Sequence, residues 1–171
     1  MRNIELKARC PDLARAEAVC RDLGAAFQWT RRQTDLYFRV ADGRLKLRIE
    51  EPGGATLVRY HRPDQAAARE SRYDLTPVPD PAATLALLER RHSLLVRVVK
   101  TRTLYLLGHI RIHLDRVEGL GTFLEFEAVM TPDRDVAATH ARLTGLRAAF
   151  GVRPAELIPR SYSDLLLATG A

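Results

Sequence analysis

Cysteine is nearly absent: Cys10 and Cys20 are the only two in 171 residues. Two thiols so placed form neither a disulfide framework nor a metal-ligand spacing. Long apolar runs are also missing, and none approaches the roughly 20 residues needed to span a bilayer. The chain opens directly on a charged strand, so no signal peptide is expected. A reducing, cytoplasmic setting without a membrane partner is the resulting expectation. Aromatic residues make up only 6% of the chain. They do not interleave with the basic strands, so no base-stacking platform and no nucleic-acid partner are expected. No GxSxG, HExxH, CxxC or GxxxxGK[ST] pattern occurs, which removes those chemistries in their usual forms. Cys10 precedes a helix N-terminus, where a thiol pKa can fall, but it has no evident histidine partner.

What is present is a core and a charge imbalance. Hydrophobic residues reach 46%, and the length suits one domain over residues 1–171. Lys and Arg number 27 against 21 Asp and Glu, a net +6. That surplus favours an anionic partner.

Strands are expected over 3–9, 27–32, 34–40, 44–50, 56–62, 71–78, 94–107, 109–117 and 122–130, and a loop over 63–68. Asp42-Gly43 and Pro52-Gly53-Gly54 mark tight turns between them. Helices are expected over 11–23, from Asp80 to Arg91, and over 133–150, with short helical turns over 161–168. Pro11 and Pro81 suit first turns, and Asp80 suits an N-cap. Leu85, Leu87 and Leu88 are the buried candidates of the second helix, and Trp29 and Phe38 read as core. The fold class is α+β: about eight strands in an antiparallel meander, with helices outside. Closing the sheet into a barrel removes its edges and gives every strand an inside and an outside.

Alternation then assigns the faces. On the first strand Asn3, Glu5, Lys7 and Arg9 share one face. The same period of two returns in Arg44/Lys46/Arg48, Lys100/Arg102, Arg111/His113/Asp115 and Glu125/Glu127. Charges of both signs repeated in this way point to a charged lumen. Glu5, Asp115, Glu125 and Glu127 form its acidic set. Carboxylates two apart on a strand can share a hard cation, Mg²⁺ or Mn²⁺, or they can pair with arginines across the sheet. Lys7, Arg9, Lys46, Arg48, Arg59, Lys100, Arg102 and Arg111 form the basic set, which matches a polyphosphate. His113 orients a phosphate, assists proton transfer or is a hydrogen-bonded structural residue. Asp35 and Tyr37 share a face and either support the lumen or touch a base.

Asn3-Ile4-Glu5-Leu6-Lys7 resembles the ExExK signature of the CYTH superfamily, the triphosphate tunnel metalloenzymes. Arg44-Leu45-Lys46-Leu47-Arg48 resembles its basic strand, and Lys100-Thr101-Arg102 its second basic pair. Ile112-His113-Leu114-Asp115 and Phe123-Leu124-Glu125-Phe126-Glu127 resemble its metal-binding strands. Ser161-Tyr162-Ser163-Asp164-Leu165 resembles its closing helix.

The resemblance implies an eight-stranded tunnel, a triphosphate substrate, Mg²⁺ or Mn²⁺, and a monomer or homodimer. It implies metal ligation by Glu5, Glu125 and Glu127, with Asp115 a ligand or a partner of one. It implies phosphate contacts from Lys7, Lys46, Arg48, Arg59, Lys100 and Arg102, with Arg69 or Arg72 as an added contact. Lys7, Arg111 and His113 are the candidate catalytic groups. Asn3 departs from the signature, which has an acidic residue there. The motifs resemble most the bacterial class IV adenylate cyclases. Cyclisation of ATP to cyclic AMP and pyrophosphate is therefore the first expectation. Hydrolysis of inorganic, thiamine or nucleoside triphosphate is the second, and non-catalytic nucleotide or polyphosphate binding the third.

Overall fold

The computed structural model describes residues 2–61 and 69–170. The chain runs β1 (Arg2–Arg9), α1 (Leu13–Asp22), β2 (Ala26–Phe38), β3 (Arg44–Glu51), β4 (Ala55–His61) and β5 (Arg69–Val78). It continues α2 (Pro81–Arg91), β6 (Leu94–Leu107), β7 (Ile110–Val117), β8 (Gly121–Val129), α3 (Val136–Ala149) and α4 (Tyr162–Ala168). The loop expected over 63–68 lies outside the described residues. The eight strands close into an antiparallel barrel in the order β1-β5-β4-β3-β2-β6-β7-β8. The last strand returns to the first, with Glu5 opposite Glu127 and Lys7 opposite Glu125. This is the expected α+β barrel, with its helices outside the wall.

Helix starts follow their caps. Asp12, Asp80 and Asp135 accept hydrogen bonds from the backbone N–H groups of Arg15, Ala83 and Ala138 at 2.9, 2.9 and 2.6 Å. Each such cap contributes about 1 kcal/mol. They shift the first and third helices a few residues inward from their expected starts. Among the described residues no helix is long and apolar enough to cross a membrane.

The apolar faces of the strands point outward, under the helices. Ile4, Leu6, Ala8, Ile112, Leu124 and Phe126 pack with Ala16 and Cys20 of α1 and Leu143 and Leu146 of α3. Each large side chain fully buried there contributes about 1.5–3 kcal/mol. Leu88 of α2 covers Leu36, Phe38 and Leu47, whereas Leu85 is half-buried and Leu87 exposed. Helix α4 stoppers one end of the barrel. Its Tyr162 and Leu166 pack onto Tyr37, Val58, Tyr60, Val98, Val117 and Phe123.

One strand replaces the two expected over 27–32 and 34–40. A register slip makes the sequence look interrupted: Phe27 pairs with Tyr105, but Trp29 pairs with Leu104. A bulge of this kind bends a strand and re-aims its side chains. Phe27 therefore stays outside, edge-on to Tyr105 with ring centroids 5.7 Å apart, while Trp29 turns inward. Trp29 lines the cavity rather than the core.

Candidate active site

Alternating residues of β1, β2, β3, β6, β7 and β8 line a cavity of about 420 Å³. Among the described residues six cationic side chains face it: Lys7, Lys46, Arg48, Lys100, Arg102 and Arg111. Five carboxylates face it too: Glu5, Asp35, Glu50, Glu125 and Glu127. The signs are segregated. Cations dominate the wall made by β3 and β6, and three of the carboxylates stand on β1 and β8.

Asp35 organises the cationic wall. It is 1% exposed. Arg48 grips it with Nε at 2.7 Å and Nη2 at 3.0 Å, Lys100 Nζ lies at 2.7 Å and Lys46 Nζ at 3.1 Å. Burial alone would raise the Asp35 pKa, but Arg48, Lys100 and Lys46 overcome it and hold the carboxyl well below its usual range. One carboxylate cannot neutralise three cations. Burial, with Arg48 beside it, pulls the Lys46 pKa down to about 7. Burial likewise pulls Lys100 down to about 8 despite Asp35.

The acidic wall is tied differently. Lys7 Nζ donates to Glu125 at 2.7 Å and lies 3.8 Å from the Tyr162 ring centroid. Arg102 grips Asp115 with both Nε and Nη2, at 2.7 and 2.6 Å, and reaches Glu125 at 2.8 Å. Burial would raise the Glu125 pKa, and Lys7 is the largest of the effects that reverse this and hold it well below the usual range. His113 sits between the glutamates, Nδ1 at 3.5 Å from Glu125 and Nε2 at 3.7 Å from Glu127. Burial and then Arg102 hold its pKa below the ordinary imidazole value. Arg111 approaches Glu127 at 3.4 Å. Asn3 is 1% exposed. Its amide donates to Glu127, while its carbonyl accepts from the Tyr73 hydroxyl at 3.2 Å. Asn3 thus orients a carboxylate in place of supplying one.

Most of the residues expected at the site converge here, but Arg9, Arg59, Arg72 and Asp115 do not; Arg9 is exposed and donates to the Leu120 carbonyl at 3.2 Å. Arg59 is exposed and points outward, into a separate outer groove with Arg2, His61 and Arg72. On β4 it is Val58 and Tyr60 that face inward, because they pack beneath α4. Asp115 is 0% exposed and is consumed by Arg102 and by the Tyr162 hydroxyl at 2.7 Å. It braces Arg102 and does not itself line the cavity. Arg72, the added phosphate contact, is exposed and donates to Glu70 at 2.8 Å. The Arg69 side chain lies outside the described part of the structure. Burial raises the Cys10 thiol pKa, opposite to the expected fall. Gln33, Glu50 and Tyr162 line the site without having been singled out, and Asp35 has a larger part than its pattern suggested.

Among the described residues no group of three or more His, Cys, Asp and Glu converges on one point. Glu125 is tied to Lys7 and Arg102, and Glu127, opposite Glu5 on the neighbouring strand, is bonded by Asn3 and approached by Arg111 and His113. Mg²⁺ uses one or two carboxylates and completes its shell with water and phosphate oxygens.

A family model, the CYTH domain, matches residues 1–162. Adenylate cyclase CyaB of Aeromonas hydrophila is 31% identical over 127 residues, which are 73% of this chain. The chain spans 64% of that relative's length. The solved structure of PH1012 from Pyrococcus horikoshii OT3 superposes with a TM-score of 0.83 at 23% identity, over 95% of this chain and 98% of that one. HpAC1 from Hippeastrum, named as an adenylyl cyclase and described with a dominant triphosphatase activity, matches with a TM-score of 0.69 at 18% identity. That match covers 98% of this chain and 96% of HpAC1. At these identities the two structures share the fold.

Proposed function

The chain belongs to the CYTH domain family, and from that premise we propose that it is an enzyme acting on a triphosphate inside the barrel, converting ATP to cyclic AMP and pyrophosphate. The observation that carries this reading is the segregation of charge. Three cations crowd one carboxylate on one wall, and Glu5 faces Glu127 on the other. A triphosphate chain lying between them meets Lys46, Arg48, Lys100 and Arg102 on one side. On the other side Glu5 and Glu127 would hold Mg²⁺ or Mn²⁺, which would neutralise charge on the phosphate oxygens.

In cyclisation the ribose 3′-oxygen bonds to the α-phosphorus, the bond from that phosphorus to the bridging oxygen breaks, and pyrophosphate leaves. The 3′-hydroxyl proton must go to a base, and His113 is the imidazole beside the carboxylates. Lys7 and Arg111 offset charge that develops on the reacting phosphate. The tunnel contributes mainly position and fixed charge. Asn3 supports this choice over hydrolysis. Hydrolysis needs an activated water, and the chain has one carboxylate fewer with which to hold an ion for it. Cyclisation takes its nucleophile from the substrate.

The likeness to HpAC1 favours a second reading, triphosphate hydrolysis. Purified protein with Mg²⁺ or Mn²⁺ and either ATP or tripolyphosphate separates them. Cyclic AMP with pyrophosphate supports cyclisation, and orthophosphate from tripolyphosphate supports hydrolysis. Binding without turnover under both metals overturns both.

A further inference from the structure

The phosphate-gripping residues leave one part of the cavity wall unexplained. Gln33 is 1% exposed and lines the cavity, and its carbonyl oxygen has no hydrogen-bond partner among the described residues. Its amide nitrogen donates to Glu50 at 2.5 Å. Its cross-strand neighbour Lys100 directs its ammonium to Asp35 instead. A buried acceptor left unmatched costs about 1–3 kcal/mol, so the site is built for a donor. A phosphate cannot provide one, since its oxygens are acceptors, as are those of Glu50 beside it.

The surroundings narrow the donor to a flat one. The bulge in β2 turns Trp29 into the cavity on the same strand, opposite Leu104. The Arg31 guanidinium lies 4.6 Å from the Trp29 ring centroid and 3.5 Å from Glu50. An indole, a guanidinium and an apolar side chain beside an acceptor edge suit an aromatic ring that carries an amino group.

We propose that Trp29 and the Gln33–Glu50 edge form a nucleobase subsite, with the Gln33 carbonyl accepting from an exocyclic amino group such as that of adenine. This rests on the reading of the tunnel as a triphosphate site. It makes Gln33 a specificity-determining residue and predicts discrimination against bases with a carbonyl at that position.

Trp29 is the only tryptophan in the chain, so its fluorescence reports directly on the subsite. With Mg²⁺ present, tripolyphosphate is expected to bind, as heat in a calorimeter, while leaving the emission unchanged. ATP is expected to bind and to quench or shift it. ATP should also bind about ten-fold more tightly than ITP, which has a carbonyl in place of the amino group. Gln33→Met should remove that ratio while leaving tripolyphosphate affinity within about two-fold of the original. Failure of tripolyphosphate to bind overturns the triphosphate reading and this inference with it. Binding of both ligands with unaltered Trp29 emission, or equal affinities for ATP and ITP, overturns this inference alone.

Discussion

Asp35→Asn removes one charge and leaves two buried lysines and a partly buried arginine facing one another. Lys100 is 2% exposed and Lys46 8%, so water cannot screen them well. Breaking a buried ion pair by deleting one partner costs about 3–5 kcal/mol. The cost falls toward the lower end here, because Lys46, already pulled to about 7, can shed its proton near neutral pH. For a chain of this size 1 kcal/mol moves the melting temperature by about 2–4 °C. Asp35→Asn should therefore melt about 6–12 °C below the parent at pH 7. A polyanion can replace the missing carboxylate. Saturating tripolyphosphate should raise the melting temperature of the variant by more than it raises that of the parent. Differential scanning calorimetry with and without tripolyphosphate measures both effects. A variant that melts with the parent, or one stabilised no more than the parent, refutes the account of the cationic wall.

Three further outcomes follow from the same geometry. Lys46 and Lys100 have folded-state pKa values lowered to about 7 and about 8, and a bound phosphate favours their charged forms. Tripolyphosphate affinity should fall as pH rises from 7 to 9, by up to about ten-fold per pH unit for each proton taken up, with the uptake visible as buffer-dependent calorimetric heat. In the ligand-free protein the sign is opposite. The unfolded lysines hold protons up to about 10.5, so these two groups make stability rise with pH from about 7 upward, which urea titrations across that range would show. Glu127→Gln should lower metal-dependent turnover by at least about 100-fold while leaving the circular dichroism spectrum and melting temperature near those of the parent, because a glutamine carbonyl can still accept from Asn3. Arg59→Ala should leave tripolyphosphate affinity within about two-fold, as expected of an outward-facing side chain distant from the ligand; a larger loss would place Arg59 at the phosphates.

The barrel was legible because strand alternation is a local property. Glu5 and Lys7, Lys46 and Arg48, and Glu125 and Glu127 each declare a charged face, and their intervening Leu6, Leu47 and Phe126 declare the face beneath the helices. What failed depended on contacts distant in sequence. Arg59 alternates with Val58 and Tyr60, and only the packing of α4 decides which of them turns inward. Asp115 keeps the expected face, but Arg102 from β6 and Tyr162 from α4 absorb it. Trp29 reverses sides through a one-residue slip that no propensity marks. Asp35 was visible as an inward residue. Its grip on three cations requires β2 to lie between β3 and β6, a neighbour relation that residue spacing does not encode.

The central claim is that a triphosphate lies between the Asp35-centred cations and the Glu5–Glu127 pair. A crystal structure of the protein with tripolyphosphate and Mn²⁺ tests it most directly, because the anomalous scattering of manganese locates the ion independently of the model. The account predicts a manganese peak bridging Glu5, Glu127 and the phosphate chain, with Lys46, Arg48, Lys100 and Arg102 on the phosphate oxygens. Phosphates in the outer groove beside Arg59 and Arg72, or manganese away from both glutamates, would contradict it.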